Sequence, residues 1–190
     1  MAVRNKSRLT LDEFEAFIAL PENVDKTFEY IHGEIVEVPS NAFASKIAAK
    51  ILTYIGIFLL EHDLGHLTGE AGGYMVSGGR YAPDVAYISY DRQPELATSG
   101  YNPNPPELAV EVISDTANAD EQRTLRLKLS GYLSAGVMVW IVNTETRTVE
   151  VHQVGKPAQE LTENDTLTAD DLLPDFALLV KDIFPPVKAD

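Results

Sequence analysis

The stretch AVEVIS, Ala109 to Ser114, is an apolar run interrupted by one carboxylate, Glu111. Strands buried on both faces read as near-continuous apolar runs, so this segment predicts a central strand with other elements packed on either side. A charged side chain in such a place costs several kcal/mol unless it is paired, protonated or bound to metal. The fold and the chemistry are therefore both posed by this one strand.

Outward from it, the pattern alternates between strand and helix. Upstream, LTGEAGGYMVSGGRYAPDVAYIS (67–89) is read as two strands separated by Gly78-Gly79, followed by a Pro-rich loop around Pro103, Pro105 and Pro106. Downstream, a helix is expected from roughly Asp120 to Ala135, stopped by Gly136. VMVWIVN (137–143) then reads as a buried strand, and TVEVHQV (148–154) as its hairpin partner across a turn at Thr144 to Arg147. Nearer the amino end, Thr10 with Glu13 three residues later makes a capping-box pattern for a short helix ended by Pro21. FEYIHGEIVEVP (28–39) reads as a hairpin turning at His32-Gly33. From about Asn41 to Glu61, Ile47, Ile51, Leu52, Ile55, Phe58 and Leu59 recur at helical spacing, with Ser40 or Asn41 placed to cap. The segment LTADDLLPDFALLVKDIF (167–184) predicts short elements packing on the rest. The summary is an α/β (α+β) fold: a mixed central β-sheet flanked by helices, with an N-terminal hairpin, forming a single domain over 10–185 after a tail at 1–9.

A chain of 190 residues buries roughly two thirds of the surface that its unfolded form exposes, so a core can form without metals or disulfides. The sequence has no cysteine, which removes disulfides and thiolate zinc sites and agrees with a reducing, cytoplasmic location. Basic residues near the start are followed by no apolar segment, so no signal peptide is expected. No apolar run is read as reaching the ~20 residues that span a bilayer. The net charge of −14 opposes non-specific binding to nucleic acid, which depends on clustered Lys and Arg. An acidic site that recruits Mg²⁺ is compatible with that total. His62 and His66 have i, i+4 spacing, but Gly65 between them argues for surface histidines over a zinc site.

Three residues stand out of pattern. Asp84 follows Pro83 and opens the apolar VAYIS, and Glu111 lies inside LAVEVI. Two strand carboxylates that meet at a sheet edge suggest a divalent-cation site, and oxygen ligands without His or Cys favour Mg²⁺ or Mn²⁺. Lys128 borders the helical stripe of Leu125, Leu129, Tyr132 and Leu133, from which its stem can follow the core and bring its ammonium to the carboxylates. Each residue also has a plainer reading. Asp84 fits a strand start, Glu111 fits half of a structural ion pair, and Lys128 fits a surface lysine with a buried stem.

The ordered set of Pro83-Asp84, the strand with Glu111, then Lys128, Tyr132 and AGVMVWIVN resembles the PD-(D/E)XK restriction-endonuclease-like superfamily, and within it the Uma-two family. The likeness extends over nearly the whole chain, from FEYIHGEIVEVP through YAPDVAYIS, ELAVEVISDT and KLSGYLSAGVMVWIVN to LLPDFALLVKDIF. What it implies is a Mg²⁺- or Mn²⁺-dependent endonuclease hydrolysing DNA phosphodiester bonds. By the resemblance, Asp84 and Glu111 bind the metal, and Lys128 replaces the usual lysine two positions after the glutamate, where Ile113 stands. Glu29 in the hairpin and Glu70 in TGEAGG resemble further acidic positions near that site. The family often has a histidine at the start of the second helix, where this chain has Ala44. That departure, with the acidic charge, keeps open an alternative: a catalytically weak or inactive nuclease-fold module that binds nucleic acid or a protein partner. A third possibility is a metal-dependent hydrolase acting on something other than DNA. Cutting both strands of a duplex calls for two active sites, so a homodimer is expected.

Overall fold

The computed structural model describes residues 8–23, 26–37, 41–169 and 172–186. The capping box forms as the sequence predicts: the Thr10 hydroxyl accepts from the Glu13 amide, the Glu13 carboxylate accepts from the Thr10 amide, and helix α1 runs Leu11–Ile18. The hairpin is β1 (Phe28–Ile31) and β2 (Glu34–Glu37), turning at His32 and Gly33, both of which have positive φ. Val38 and Ser40, read as part of the hairpin and as a possible cap, lie outside the described residues. Asn41 is the cap of α2 (Ala42–His62), its side chain accepting from the amides of Phe43 and Ala44.

The segment expected to hold two strands holds four: β3 (Gly65–Gly69), β4 (Tyr74–Val76), β5 (Gly79–Tyr81) and β6 (Val85–Ser89). The strands β4 and β5 are three residues each, too short for an alternation pattern to register. Their turn is Ser77-Gly78, with φ of 48° and 81°, the left-handed pair that closes a two-residue hairpin. Gly79 belongs to β5, where a Cβ would come within 2.6 Å of the Tyr30 carbonyl oxygen on the neighbouring β1. The remaining elements are β7 (Leu108–Ile113), α3 (Ala119–Ser134), β8 (Met138–Asn143), β9 (Thr148–His152), β10 (Gln159–Leu161), β11 (Thr166–Ala169), β12 (Leu173–Leu179) and α4 (Val180–Ile183).

The described residues form three sheets. The largest has the order β10-β9-β8-β7-β6-β3 and is mixed: β7 and β8 are parallel, and its other pairs are antiparallel. A parallel pair needs a crossover, and α3 supplies it. The order β2-β1-β5-β4 makes a second sheet, and β11-β12 a third.

Alternation along β7 divides the core. Leu108 and Val110 join a cluster with Ile47, Ile51 and Ile55 of α2, Trp140 and Val142 of β8, and Phe176, Leu178 and Ile183 near the carboxyl end. Ala109 joins the opposite cluster with Tyr132 of α3, Ile31, Tyr74, Val76 and Tyr81 of the second sheet, and Val139 and Ile141 of β8. Helix α3 is thus held between the central sheet and the smaller one, and Glu111, two residues beyond Ala109, faces that layer.

Helix α2 corrects one expectation. It has 21 residues, and with mean hydropathy 1.6 over an 18-residue stretch it is long and apolar enough to cross a membrane by those two measures alone. Lysines at 46 and 50 break the run on one face and kept it from reading as continuous. In the fold α2 lays Ile47, Ala48, Ile51 and Ile55 on the sheet.

Candidate active site

The antiparallel register of β6 and β7 pairs Val85 with Val110. Continued by one residue, it sets Asp84 beside Glu111 on the α3 face of the sheet. A hydrogen bond fixes the approach: the Val112 amide donates to Asp84 Oδ2 at 2.7 Å, tying the Asp84 carboxylate to the residue that follows Glu111. Val112 is the last central residue of β7, and its amide is free for a side chain because the β6 pairing ends at Val85.

Lys128 reaches this spot from α3. Its Nζ lies 2.7 Å from Glu111 Oε2 and 2.8 Å from Glu29 Oε1 on β1. Glu29 Oε1 also accepts from the Ala82 amide at 2.7 Å, just before Pro83-Asp84. One helical turn after Lys128, the Tyr132 hydroxyl donates to Glu111 Oε1 at 2.8 Å. The three charged residues are nearly sealed from solvent, with Glu29 3%, Lys128 6% and Glu111 8% exposed, while Asp84 is half-buried. The lysine is therefore no surface residue with a buried stem; its head group is buried as well.

The electrostatics follow from three carboxylates around one ammonium. Burial pushes the Glu111 carboxyl up to about 8, against the attraction of Lys128 and with the repulsion of Glu29 and Asp84. Burial also raises Asp84, opposed by the Val112 hydrogen bond and by Lys128 and reinforced by Glu29 and Glu70. Desolvation disfavours the Lys128 ammonium, but Glu111 and Glu29 outweigh it and hold the lysine protonated above its ordinary range. Tyr132 is raised well above the usual phenol, by burial first and Glu111 next, and stays a neutral donor. With three carboxylates around one ammonium the cluster is negatively charged, and a proton on Glu111 or an added cation relieves the repulsion.

Glu70 stands apart from this contact set. It is exposed in the turn after β3, and continuing the β3–β6 register, which pairs Gly69 with Val85, would put it opposite Asp84. Asp84 feels its charge. The structure thus brings Asp84, Glu111, Lys128 and Glu29 together and leaves Glu70 at the rim.

The donor set fits a hard divalent cation: the available ligands are carboxylate oxygens, and the charge imbalance favours a cation. Among the described residues no group of three or more Asp, Glu, His or Cys side chains is arranged to hold a metal by itself. Glu29 is turned to Lys128 and Ala82, which leaves Asp84 and Glu111 as the pair. Two carboxylates suit Mg²⁺, which keeps several waters and takes few protein ligands. Tyr132, named in the resemblance without a role, is the residue whose contact with Glu111 the sequence did not predict. It reads as part of an apolar stripe, and only its i+4 offset from Lys128 hints that both touch one partner.

The backbone matches a crystal structure titled as a "putative nuclease belonging to DUF820" from Anabaena variabilis ATCC 29413, with a TM-score of 0.73 and 20% identity over 93% of this chain and 97% of that one. The fold is restriction-endonuclease-like and of the mixed α+β kind. The chain belongs to the Uma2 family, described as "Putative restriction endonuclease", whose model matches residues 14–181. Restriction-endonuclease-like families generally use divalent metals. No curated protein matches the sequence.

Proposed function

We propose that the protein is a Mg²⁺- or Mn²⁺-dependent endonuclease that hydrolyses DNA phosphodiester bonds. The observation that carries this reading is the meeting of Asp84 and Glu111 across β6 and β7 with the Lys128 ammonium 2.7 Å from Glu111. Asp84 and Glu111 would hold the ion, which when bound offsets phosphate charge and acidifies a water. Lys128, protonated throughout the physiological range, stands where it orients a nucleophilic water or offsets negative charge growing on the phosphate. Glu29 holds that ammonium in place, and the apolar layer of Tyr81 and Tyr132 keeps bulk water from its back. Glu70, at the rim, adds negative charge that helps recruit the cation. A homodimer working in the cytoplasm, with one centre per DNA strand, completes the proposal.

The net charge of −14 favours a second reading, a nuclease-fold module with little or no activity that binds nucleic acid or a protein partner. Cleavage of varied DNA substrates, titrated with Mg²⁺ and Mn²⁺ for wild type and Asp84→Ala, separates the two. Metal-dependent cleavage that disappears in D84A is expected. Equal cleavage in both proteins, or none in either, rejects the endonuclease reading.

A further inference from the structure

Helix α3 contributes a second group to the site, and its place is independent of the lysine's. Lys128 and Tyr132, one turn apart on the same face, contact the two different oxygens of one carboxylate: the ammonium at Glu111 Oε2, 2.7 Å, and the phenol at Glu111 Oε1, 2.8 Å. Tyr132 is fully buried, and its ring packs edge-on against Tyr81 at 5.1 Å between centroids, so the hydroxyl is held by the core.

The two contacts differ in how they respond to a cation. An ammonium and a divalent ion repel each other, so the Lys128 contact to Glu111 weakens when Glu111 gives its charge to a metal, and Glu29 at 2.8 Å remains to hold the lysine. A neutral hydroxyl donating to Glu111 suffers no such repulsion. Carboxylate ligands are characteristically fixed by hydrogen bonds of this kind.

We infer that Tyr132 is a positioning residue for the metal site, the donor that keeps the Glu111 carboxylate aimed toward Asp84 when a divalent cation is bound. The inference rests on the reading above that Asp84 and Glu111 are the ligands. The resemblance includes Tyr132 in its ordered set but gives it no role; the hydrogen bond to Glu111 does.

Mn²⁺ binding to the full chain, measured by calorimetry without DNA, tests it. Tyr132→Phe keeps the ring and its contact with Tyr81 and removes one oxygen. Its Mn²⁺ affinity should fall about tenfold, the lower end of what loss of a ligand's supporting hydrogen bond costs, with the fold intact by circular dichroism. A second comparison guards against misfolding and isolates the route of action. In the Glu111→Ala background the oxygen that accepts from Tyr132 is gone, and adding Y132F there should leave the residual Mn²⁺ affinity unchanged. Equal affinity of wild type and Y132F, or a further loss in E111A/Y132F, overturns the inference while leaving the metal site standing. Absence of Mn²⁺ binding by the wild type removes the inference together with the metal-dependent reading on which it depends.

Discussion

Glu111 is buried between Lys128 and Tyr132, and its burial has a consequence for stability. An unfolded glutamate titrates near 4.5, whereas here burial holds the group near 8. Between those values the folded chain keeps a proton that the unfolded chain has released, so stability falls as pH rises through the window and levels off above about 8. Asp84, also raised, adds in the same direction at the lower end. The thermal midpoint in EDTA should therefore decline from pH 5 to pH 8 in the wild type and change much less in Glu111→Gln. An equal decline in both proteins would show that Glu111 is not the group responsible. That Glu111 needed a partner was evident from AVEVIS alone, because every neighbour is apolar. Lys128 was legible as a partner from its place at the border of the α3 stripe and Glu29 only through the resemblance, while the Tyr132 hydrogen bond, 21 residues away in sequence, was not.

Among the elements, α3 is the one on which the site depends, and its fit between two sheets is tight at one point. A Cβ on Gly131 would stand 2.2 Å from the Tyr81 hydroxyl oxygen and 2.9 Å from the ring carbon that bears it. The Ser77 hydroxyl also donates to the Gly131 carbonyl at 2.8 Å, tying the β4–β5 turn to the helix. Gly131→Ala should destabilise the fold by about 1–3 kcal/mol, the usual cost of an overpacked core, although alanine is the better helix former. Tyr81→Phe in the same chain should recover part of the loss, because it removes the nearest atom. Urea unfolding of the single and double variants measures both effects, and a G131A variant as stable as wild type would contradict this packing. The long helices and the β7 and β8 strands were legible from periodicity and caps. The β4–β5 hairpin was not, because three-residue strands carry too few positions to show a period, and the run of two glycines draws the expected turn one residue past Ser77-Gly78.

At the scale of the whole molecule, charge and site pull in opposite directions. A chain with net charge −14 repels a polyanion, and in the proposed reaction a phosphate would have to approach the acidic cluster of Glu29, Asp84 and Glu111. DNA binding should therefore depend on a divalent cation more than on basic contacts. In fluorescence anisotropy with a duplex oligonucleotide, Ca²⁺, used in place of a catalytically active ion, should tighten binding at least about tenfold over EDTA, the equivalent of ~1.4 kcal/mol. Equal affinity in EDTA and Ca²⁺ would place DNA recognition elsewhere on the surface. Helix α2 belongs to the same scale. Its sheet-facing isoleucines were predicted, but Ile57 at 54% and Leu60 at 87% exposure leave apolar side chains on its outer side, which the sequence pattern had assigned to no surface.

By itself the sequence determined the class of elements and the suspects: a doubly covered strand interrupted by one glutamate, an aspartate opening its neighbour, and a lysine at the edge of a helical stripe. These are local facts, set by which residues alternate and which interrupt the alternation. Only the tertiary structure decided that the β6–β7 register puts both carboxylates on one face, that α3 is covered by a second sheet so that Lys128 is buried, and that Glu29 and Tyr132 complete the set. Those outcomes depend on strand register and layer packing, which arise from contacts between distant segments and leave no mark in any single stretch of the chain.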